Sequence, residues 1–344
     1  MLIQPAKLSP GDKVATVSLS WGGAGEPALK WRYQQGVERL ETVFGLEVVP
    51  MPNSLKGETY IAEHPEARAE DLMTAFRDPE IKAIISNIGG DDSIRLLPYM
   101  DFEVIRQNPK IFMGFSDTTI SHLFCFHAGL SSFYGPAIMT DFAENVAMDD
   151  YTVKAIHNLL FQAEAAGDIP APEKWTSEFL EWDISNKNTA RKMLPNQGYE
   201  LLQGNGIVKG NLIGGCIEVL EFAKGTAIWP QKEAWDNSIL FFETSEEQTD
   251  PDLIKRWLRN YAAQNILQQT NGIIFAKPHG DIHYKAYKEV ILAVLAENGR
   301  TDLPVLYNVS IGHTEPKTPI PYGRLAQIDC NQVSFSIIEA AVTN

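Results

Sequence analysis

Short apolar strands alternate with helical segments along the first half of this chain of 344 residues. The runs Lys13–Leu19, Ala83–Ile88 and Lys110–Phe115 are rich in β-branched or other apolar residues, and stretches with helical spacing separate them. Such an alternation is typical of a parallel sheet that carries helices on both faces. The first half is therefore predicted to be an α/β domain.

A polar segment with weak periodicity, at residues 166–205, separates this domain from a second one. It contains three prolines and two tryptophans, and loops of this length are more often functional than accidental. We predict an N-terminal α/β domain at 1–165, an inter-domain connection at 166–205 and a C-terminal domain at 206–344. Further strands are predicted at Ile207–Leu212, Ser238–Glu243, Gly272–Ala276, Pro304–Val309 and Val333–Ile337.

The charge composition disfavours two classes of binding partner. The chain has 29 Lys and Arg against 44 Asp and Glu, a net charge of -15, which disfavours a nucleic-acid or membrane partner because both require a cationic face. We find neither a signal-peptide pattern nor an apolar run long enough for a transmembrane helix. The three widely spaced cysteines are expected to be free thiols. A cytoplasmic location is predicted.

A candidate nucleophile, Ser116, follows the apolar strand that ends at Gly114-Phe115, and a helix begins directly after it. A nucleophile elbow places a serine hydroxyl in this strand–turn–helix context, where helix N–H groups favour a nearby oxyanion. The G-x-S-x-G pattern is incomplete, because Thr118 replaces the second glycine. The alternative is that Ser116 and Asp117 only cap the helix.

A serine nucleophile needs a base and a residue that orients the base. Among seven histidines, His313 is best placed, because it lies just beyond the carboxyl end of a predicted strand, where ligands of α/β sheets collect. Glu243 ends another apolar strand and could orient it. The alternative for His313 is a loop histidine without a catalytic role. The alternative for Glu243 is a solvated strand tip or a helix cap.

Two other motifs are candidate binding sites. Gly89–Ser93 ends a strand and could present backbone N–H groups to an anion, although it has neither a dinucleotide motif nor a Walker lysine. His279 and His283 are spaced like metal ligands, but Pro278 and Gly280 interrupt the helix that such spacing requires. A metallohydrolase that uses these histidines stays an alternative.

Together these motifs resemble the LD-carboxypeptidase family of serine peptidases, from about Pro10 to Gln327. The resemblance implies a flavodoxin-like, doubly wound N-terminal domain and a smaller α/β C-terminal domain. It also implies that members commonly form homodimers and need no metal or organic cofactor. The segments that carry it are Ile88–Pro98, Gly114–Asp117, Gly210–Cys216, Ile239–Glu243 and Gly312-His313.

By this resemblance Ser116 is the nucleophile, His313 the general base and Glu243 the carboxylate that holds the imidazole. The backbone N–H groups of Gly90 and Asp117 would form the oxyanion hole.

The long connection with its aromatic residues looks more like the branch of the microcin C self-immunity peptidases than the murein tetrapeptide branch. In that branch aromatic loop residues stack on the adenine of a peptidyl-nucleotide, and Trp182 is the candidate here. The alternative is a tryptophan that seals the domain interface. The predicted substrate is a small peptide or peptidyl-nucleotide. A murein tetrapeptide carboxypeptidase and a non-catalytic small-ligand-binding protein remain alternatives.

Overall fold

The computed structural model describes residues 2–344. Its strands are β1 (Lys13–Val17), β2 (Glu47–Pro50), β3 (Ile81–Ser86), β4 (Ile111–Gly114), β5 (Phe133–Tyr134), β6 (Ala165–Asp168), β7 (Lys174–Trp175), β8 (Leu194–Pro195), β9 (Glu200–Gln203), β10 (Ile207–Cys216), β11 (Ser238–Glu243), β12 (Gly272–Ala276), β13 (Val305–Val309), β14 (Ile320–Pro321), β15 (Leu325–Asp329) and β16 (Ser334–Ala340). Its α-helices are α1 (Lys30–Phe44), α2 (Glu58–Glu63), α3 (Pro65–Arg77), α4 (Phe102–Gln107), α5 (Thr119–Ala128), α6 (Asp150–Leu160), α7 (Ile217–Ala223), α8 (Pro251–Ala263), α9 (Ile266–Gln269) and α10 (Tyr284–Glu297).

The first sheet confirms the predicted doubly wound domain. Its strand order is β14-β5-β4-β3-β1-β2, in which β2, β1, β3, β4 and β5 are parallel and β14 is antiparallel to β5. The order 2-1-3-4-5 is that of flavodoxin-like folds, whose ligands bind at the carboxyl ends of the strands where the order reverses. Here the order reverses between β1 and β3, and β4, which precedes Ser116, lies next to β3.

The second sheet has eight strands in the order β6-β16-β15-β10-β11-β12-β13-β9. Its centre, β10 to β13, is parallel, and the outer pairs are antiparallel. The edge strand β9 lies in the segment predicted as an inter-domain connection, and β6 overlaps its start. That segment therefore contributes strands to the second sheet, while the division into 1–165, 166–205 and 206–344 stays a prediction.

A short strand from the second half completes the first sheet. In β14, Ile320 pairs with Tyr134 of β5. This pairing holds the chain that follows β13, which includes His313, against the edge of the first sheet. Two-residue strands such as β5 and β14 are too short to show a hydrophobic period, and the sequence analysis did not predict them.

One predicted helix has a different form. The segment at Ile94–Leu97 belongs to a 3₁₀ stretch, Ser93–Tyr99, with Pro98 inside it. Proline has no backbone N–H to donate, so a regular α-helix is disfavoured there.

The cysteines Cys125, Cys216 and Cys330 are buried free thiols, as predicted. Within residues 2–344, no helix has the length and apolar character needed to cross a lipid bilayer.

Candidate active site

Ser116 lies in a sharp turn between β4 and α5. Its φ of 63° falls in the left-handed region, which a residue with a side chain adopts only when its surroundings hold it there. Gly89 packs so closely that a Cβ at this position would lie 2.9 Å from the Ser116 Oγ. The incomplete elbow motif thus folds into a strained strand-to-helix turn, the geometry that holds a serine hydroxyl clear of a sheet.

The Asp117 carboxylate ties this turn to the glycine-rich loop after β3 rather than capping a helix. It accepts the backbone amide of Ser93 at 2.8 Å, and the Ser93 hydroxyl donates to the Asp117 carbonyl at 2.8 Å. The buried Arg68 holds the same loop through Asp92, at 2.5 Å. In the described residues no hydrogen bond uses the amide of Gly90 or of Asp117. Both predicted oxyanion donors therefore lie in anchored backbone and have no partner there.

Glu243 and His313, which were predicted as the orienting carboxylate and the base, form a buried hydrogen-bonded pair. The Nδ1 of His313 is 2.7 Å from the Oε2 of Glu243, and Glu243 is fully buried at the end of β11. Gly312, at φ 77°, permits this approach, because a Cβ there would lie 2.3 Å from the same Oε2.

This pairing changes the pKa of both groups. Burial alone would lower the pKa of His313, but the carboxylates of Glu243 and Glu246 outweigh it and raise the pKa to about 9. Burial alone would raise the pKa of Glu243, but the charge of His313 and the hydrogen bonds from His313 and Tyr134 hold it below its ordinary value. The geometry favours an imidazolium paired with a carboxylate in the free protein.

Ser116 and His313 line one cavity of about 870 Å³, so residues from both sheets meet there. The ring of Phe115 packs edge-on against His313, with centroids 5.0 Å apart. The Nε2 of His313 lies 3.1 Å from the Oε2 of Glu246. The other lining residues are Trp21, Ala28, Leu29, Arg32, Ile88, Gly89, Gly90, Thr140, Glu144, Asn145, Ser177, Glu178, Phe179, Leu180, Glu181, Trp182, Asp183, Arg191, His279 and Glu315.

Trp182 lies in this cavity, on the segment at 166–205 that was predicted as the inter-domain connection. The guanidinium of Arg32 is 4.5 Å from the centroid of its ring, and the ring of Trp21 is 6.2 Å away. The Nε of Arg32 donates to the carbonyl of Met139, at 2.6 Å. Trp182 is thus packed against a fixed cation.

Ion pairs hold the segment at residues 166–205 in place. Arg191 pairs with Glu144, and with Glu315 at 3.0 Å. The buried Lys317 continues the chain of charges to Glu315 at 3.3 Å and to Asp141 at 3.2 Å. These side chains fix the cavity wall that carries Trp182.

The remaining histidines take other places. His122 is buried, its Nε2 is hydrogen-bonded to the Gly114 carbonyl at 2.8 Å, and burial lowers its pKa to about 3. His279 lines the cavity, whereas His283 precedes α10. No group of three His, Cys, Asp or Glu side chains in residues 2–344 has an arrangement that could hold a metal ion.

Two residues of the site, Tyr134 and Glu246, were not predicted from the sequence. Tyr134 ends a strand of two residues, which gives no periodic signal. Glu246 lies in the polar stretch that follows β11, and its position just beyond a strand end was the signal that could have identified it.

Two family models match the chain. They are described as the LD-carboxypeptidase N-terminal domain, over residues 14–135, and the LD-carboxypeptidase C-terminal domain, over residues 209–328. The microcin C7 self-immunity protein MccF of Escherichia coli is 30% identical over 342 residues, which cover 97% of this chain and 95% of that protein. The chain belongs to the LD-carboxypeptidase family. It is accordingly a peptidase of the serine hydrolase class.

Other relatives of the chain include a murein peptide carboxypeptidase and MccF-like proteins. A probable murein peptide carboxypeptidase of Bacillus subtilis is 29% identical and covers 99% of this chain and 95% of its own. An MccF-like protein from Streptococcus pneumoniae, solved with AMP, has a TM-score of 0.87 and 33% identity, covering 95% of this chain and 98% of that one. MccF solved with aspartyl sulfamoyl adenosine has a TM-score of 0.87 and 28% identity, covering 99% and 100%. These matches confirm the α/β fold predicted for both domains.

Proposed function

We propose that the chain is a serine carboxypeptidase or amidase that hydrolyses an amide bond near the carboxyl end of a small peptide or peptidyl-nucleotide. Ser116 is the nucleophile, His313 the general base and Glu243 the residue that orients the imidazole. The observation that carries this proposal is the 2.7 Å pair of Glu243 and His313, which faces the same cavity as a serine in a strained turn.

In the proposed reaction His313 takes the proton of the Ser116 hydroxyl as its oxygen attacks the amide carbonyl. His313 then gives this proton to the leaving amine, and the acyl-enzyme forms. Water, deprotonated by the same imidazole, attacks the ester and releases the acid and Ser116. Glu243 holds Nδ1 so that Nε2 faces the reacting atoms.

The amides of Gly90 and Asp117 are the proposed oxyanion hole. Asp117 follows Ser116 directly, and Gly90 lines the same cavity as Ser116. Ser93 and Asp92 fix the backbone around the two amides, and neither amide has a partner in the described part of the chain. Each donor of this kind stabilises a transition state by roughly 2.7–4 kcal/mol.

Trp182 is the proposed platform for a nucleobase. A solved relative binds AMP and another binds aspartyl sulfamoyl adenosine, and a nucleobase can stack on an indole ring. Because Trp182 lines the cavity and is only half-buried, it has a face available for a ligand. These observations favour a Trp182 that stacks on the nucleobase of a peptidyl-nucleotide over a Trp182 that only seals the domain interface.

A murein tetrapeptide is the second candidate substrate, because the murein peptide carboxypeptidase relative matches nearly the whole chain. A competition assay decides between them: purified protein receives aspartyl sulfamoyl adenosine and a murein tetrapeptide together, and mass spectrometry follows both. We expect faster hydrolysis of the adenosine compound, and none of either compound with Ser116→Ala. Turnover by Ser116→Ala at the wild-type rate would refute the proposal, and faster hydrolysis of the tetrapeptide would transfer it to the murein class.

We further propose that the protein acts in the cytoplasm as a homodimer, as the family resemblance implies. Light scattering on the purified protein is expected to give the mass of two chains. A mass of one chain at micromolar concentration would contradict the dimer.

A further inference from the structure

The carboxylate of Glu246 lies at the reacting end of the cavity. Its Oε2 is 3.1 Å from the Nε2 of His313, the nitrogen that must face Ser116 in the proposed reaction. Glu243 already orients this imidazole through Nδ1. The side chain of Glu246 is 63% exposed and lines the cavity. Glu246 is therefore accessible to a substrate and is not needed to orient the base.

The loop that carries Glu246 is anchored on both sides. The carboxylate of Glu218 accepts the amide of Ser245 at 2.9 Å and the hydroxyl of Thr249 at 2.7 Å. The Tyr287 hydroxyl donates to the Thr249 carbonyl at 2.5 Å. A side chain held at this position is suited to recognise a group next to the scissile bond.

The cationic side chains around the cavity already have partners. Arg191 and Lys317 are paired with buried carboxylates, and Arg32 lies against the ring of Trp182. Among residues 2–344, Glu246 has one ion-pair partner, the imidazole of His313. When His313 is the neutral base, no cation of the described residues pairs with Glu246, and a cationic group of the substrate can take that place.

We propose that Glu246 determines specificity by binding an ammonium group on the acyl part of the substrate. This inference rests on the proposed function and names the class of its acyl group. An ammonium that pairs with Glu246 also releases the Nε2 of His313, which can then take the proton of Ser116. The ammonium is either the free α-amino group of the acyl residue or a basic side chain on it.

The test uses three sulfamoyl-adenosine amides that form two matched pairs, with the norleucyl compound common to both. Norleucyl against N-acetyl-norleucyl varies the α-ammonium, and lysyl against norleucyl varies a side-chain ammonium at nearly constant shape. We expect kcat/KM to be about tenfold higher for the charged member of at least one pair, as for a partly exposed charge-assisted hydrogen bond. In Glu246→Gln that preference should fall to within about twofold. The matched control, Glu247→Gln, alters an exposed neighbour outside the cavity lining and should keep it.

The pair that shows the preference identifies the source of the ammonium. Equal kcat/KM within both pairs, or a preference that Glu246→Gln leaves intact, would overturn the assignment of Glu246. Absence of hydrolysis of all three amides by wild-type protein would instead count against both the proposed function and this inference. Hydrolysis that Ser116→Ala retains would count against the proposed function alone.

Discussion

The hydroxyl of Tyr134 is hydrogen-bonded to both the backbone amide of Ser116 and the carboxylate of Glu243. It accepts the amide at 3.0 Å and donates to Glu243 Oε1 at 2.5 Å. Burial and the charge of Glu243 hold the pKa of Tyr134 well above its ordinary value, so the phenol stays protonated and can donate. One buried side chain of the first sheet thus joins the nucleophile turn to the second sheet.

Tyr134→Phe is expected to lower both stability and turnover. It leaves the Ser116 amide without its partner and removes one donor from a buried carboxylate, which costs about 1–3 kcal/mol of unfolding free energy. We expect kcat to fall about tenfold while KM changes little, since the loss is in positioning. Denaturant unfolding and steady-state kinetics measure the two effects. The control is Tyr33→Phe, which removes a buried hydroxyl bonded to Thr16 and should leave kcat unchanged; an equal kcat loss in both variants would argue against a positioning role.

The activity is expected to rise with pH until His313 loses its proton. His313 must be neutral to act as a base, and its pKa in the free protein is raised to about 9. The charged and titratable groups around it are Glu243, Glu246, His279 and Lys317. In the pH profile of kcat/KM, the rise in activity should therefore have its midpoint near pH 9, and this midpoint should lie at lower pH in Glu246→Gln. An unchanged midpoint in Glu246→Gln would contradict this role of Glu246.

The contribution of His313 to stability should fall with rising pH, whereas the activity rises. Because folding raises the pKa of His313 from 6.5, its stabilising contribution is full below about pH 6.5 and is lost as the pH rises through about 9. Because folding lowers the pKa of Glu243 from 4.5, its contribution is present above about pH 4.5 and is lost at lower pH. Urea unfolding of wild type and His313→Gln should differ most near pH 6 and least near pH 10. A difference that grows toward pH 10 would have the wrong sign.

Trp182→Ala is expected to weaken nucleotide binding rather than the chemical step. Stacking of a base on an aromatic side chain contributes roughly 1–3 kcal/mol, so KM for an aminoacyl sulfamoyl adenosine should rise about tenfold with kcat nearly constant. Trp182→Phe keeps an aromatic face and should lie between wild type and alanine. Inhibition by AMP should weaken in parallel. An unchanged KM in Trp182→Ala would favour the interface-sealing role.

Arg191→Met is expected to loosen the wall of the cavity. It leaves Glu144 without its arginine and Glu315 with only Lys317, and loss of one partner of a largely buried pair costs about 3 kcal/mol. Hydrogen exchange should accelerate in the segment 176–191. Arg259→Met, which removes an exposed pair with Glu297, should have little effect on stability, because water and salt screen exposed charges. Similar losses in the two variants would contradict a special role for the buried pair.

Long, continuously apolar strands were predictable from the sequence. The bounds of β11 and β12 agree with the prediction, because Ser238–Glu243 and Gly272–Ala276 are buried along their whole length and end in polar residues or prolines. The candidate site residues were predictable for a related reason. Ser116 follows such a strand of the first sheet, whereas Glu243 ends one strand of the second sheet and His313 follows another. Parallel strands bring their carboxyl ends to one edge of each sheet.

Contacts between distant segments could not be predicted from the sequence. The approach of His313 to Glu243 depends on a glycine at 312 and on the order of β11, β12 and β13 in the sheet. Tyr134 acquires its position through the pairing of its two-residue strand, β5, with β4 on one side and β14 on the other. Periodicity describes which face of an element is buried, and it carries no information on which loops meet across two sheets.

Covalent labelling with a fluorophosphonate probe, mapped by peptide mass spectrometry, tests the identity of the nucleophile most directly. A serine whose hydroxyl proton is accepted by His313 should be labelled at Ser116 within minutes. Labelling should disappear in Ser116→Ala and slow by orders of magnitude in His313→Ala. Modification at another serine, or unchanged labelling of Ser116 in His313→Ala, would contradict the account.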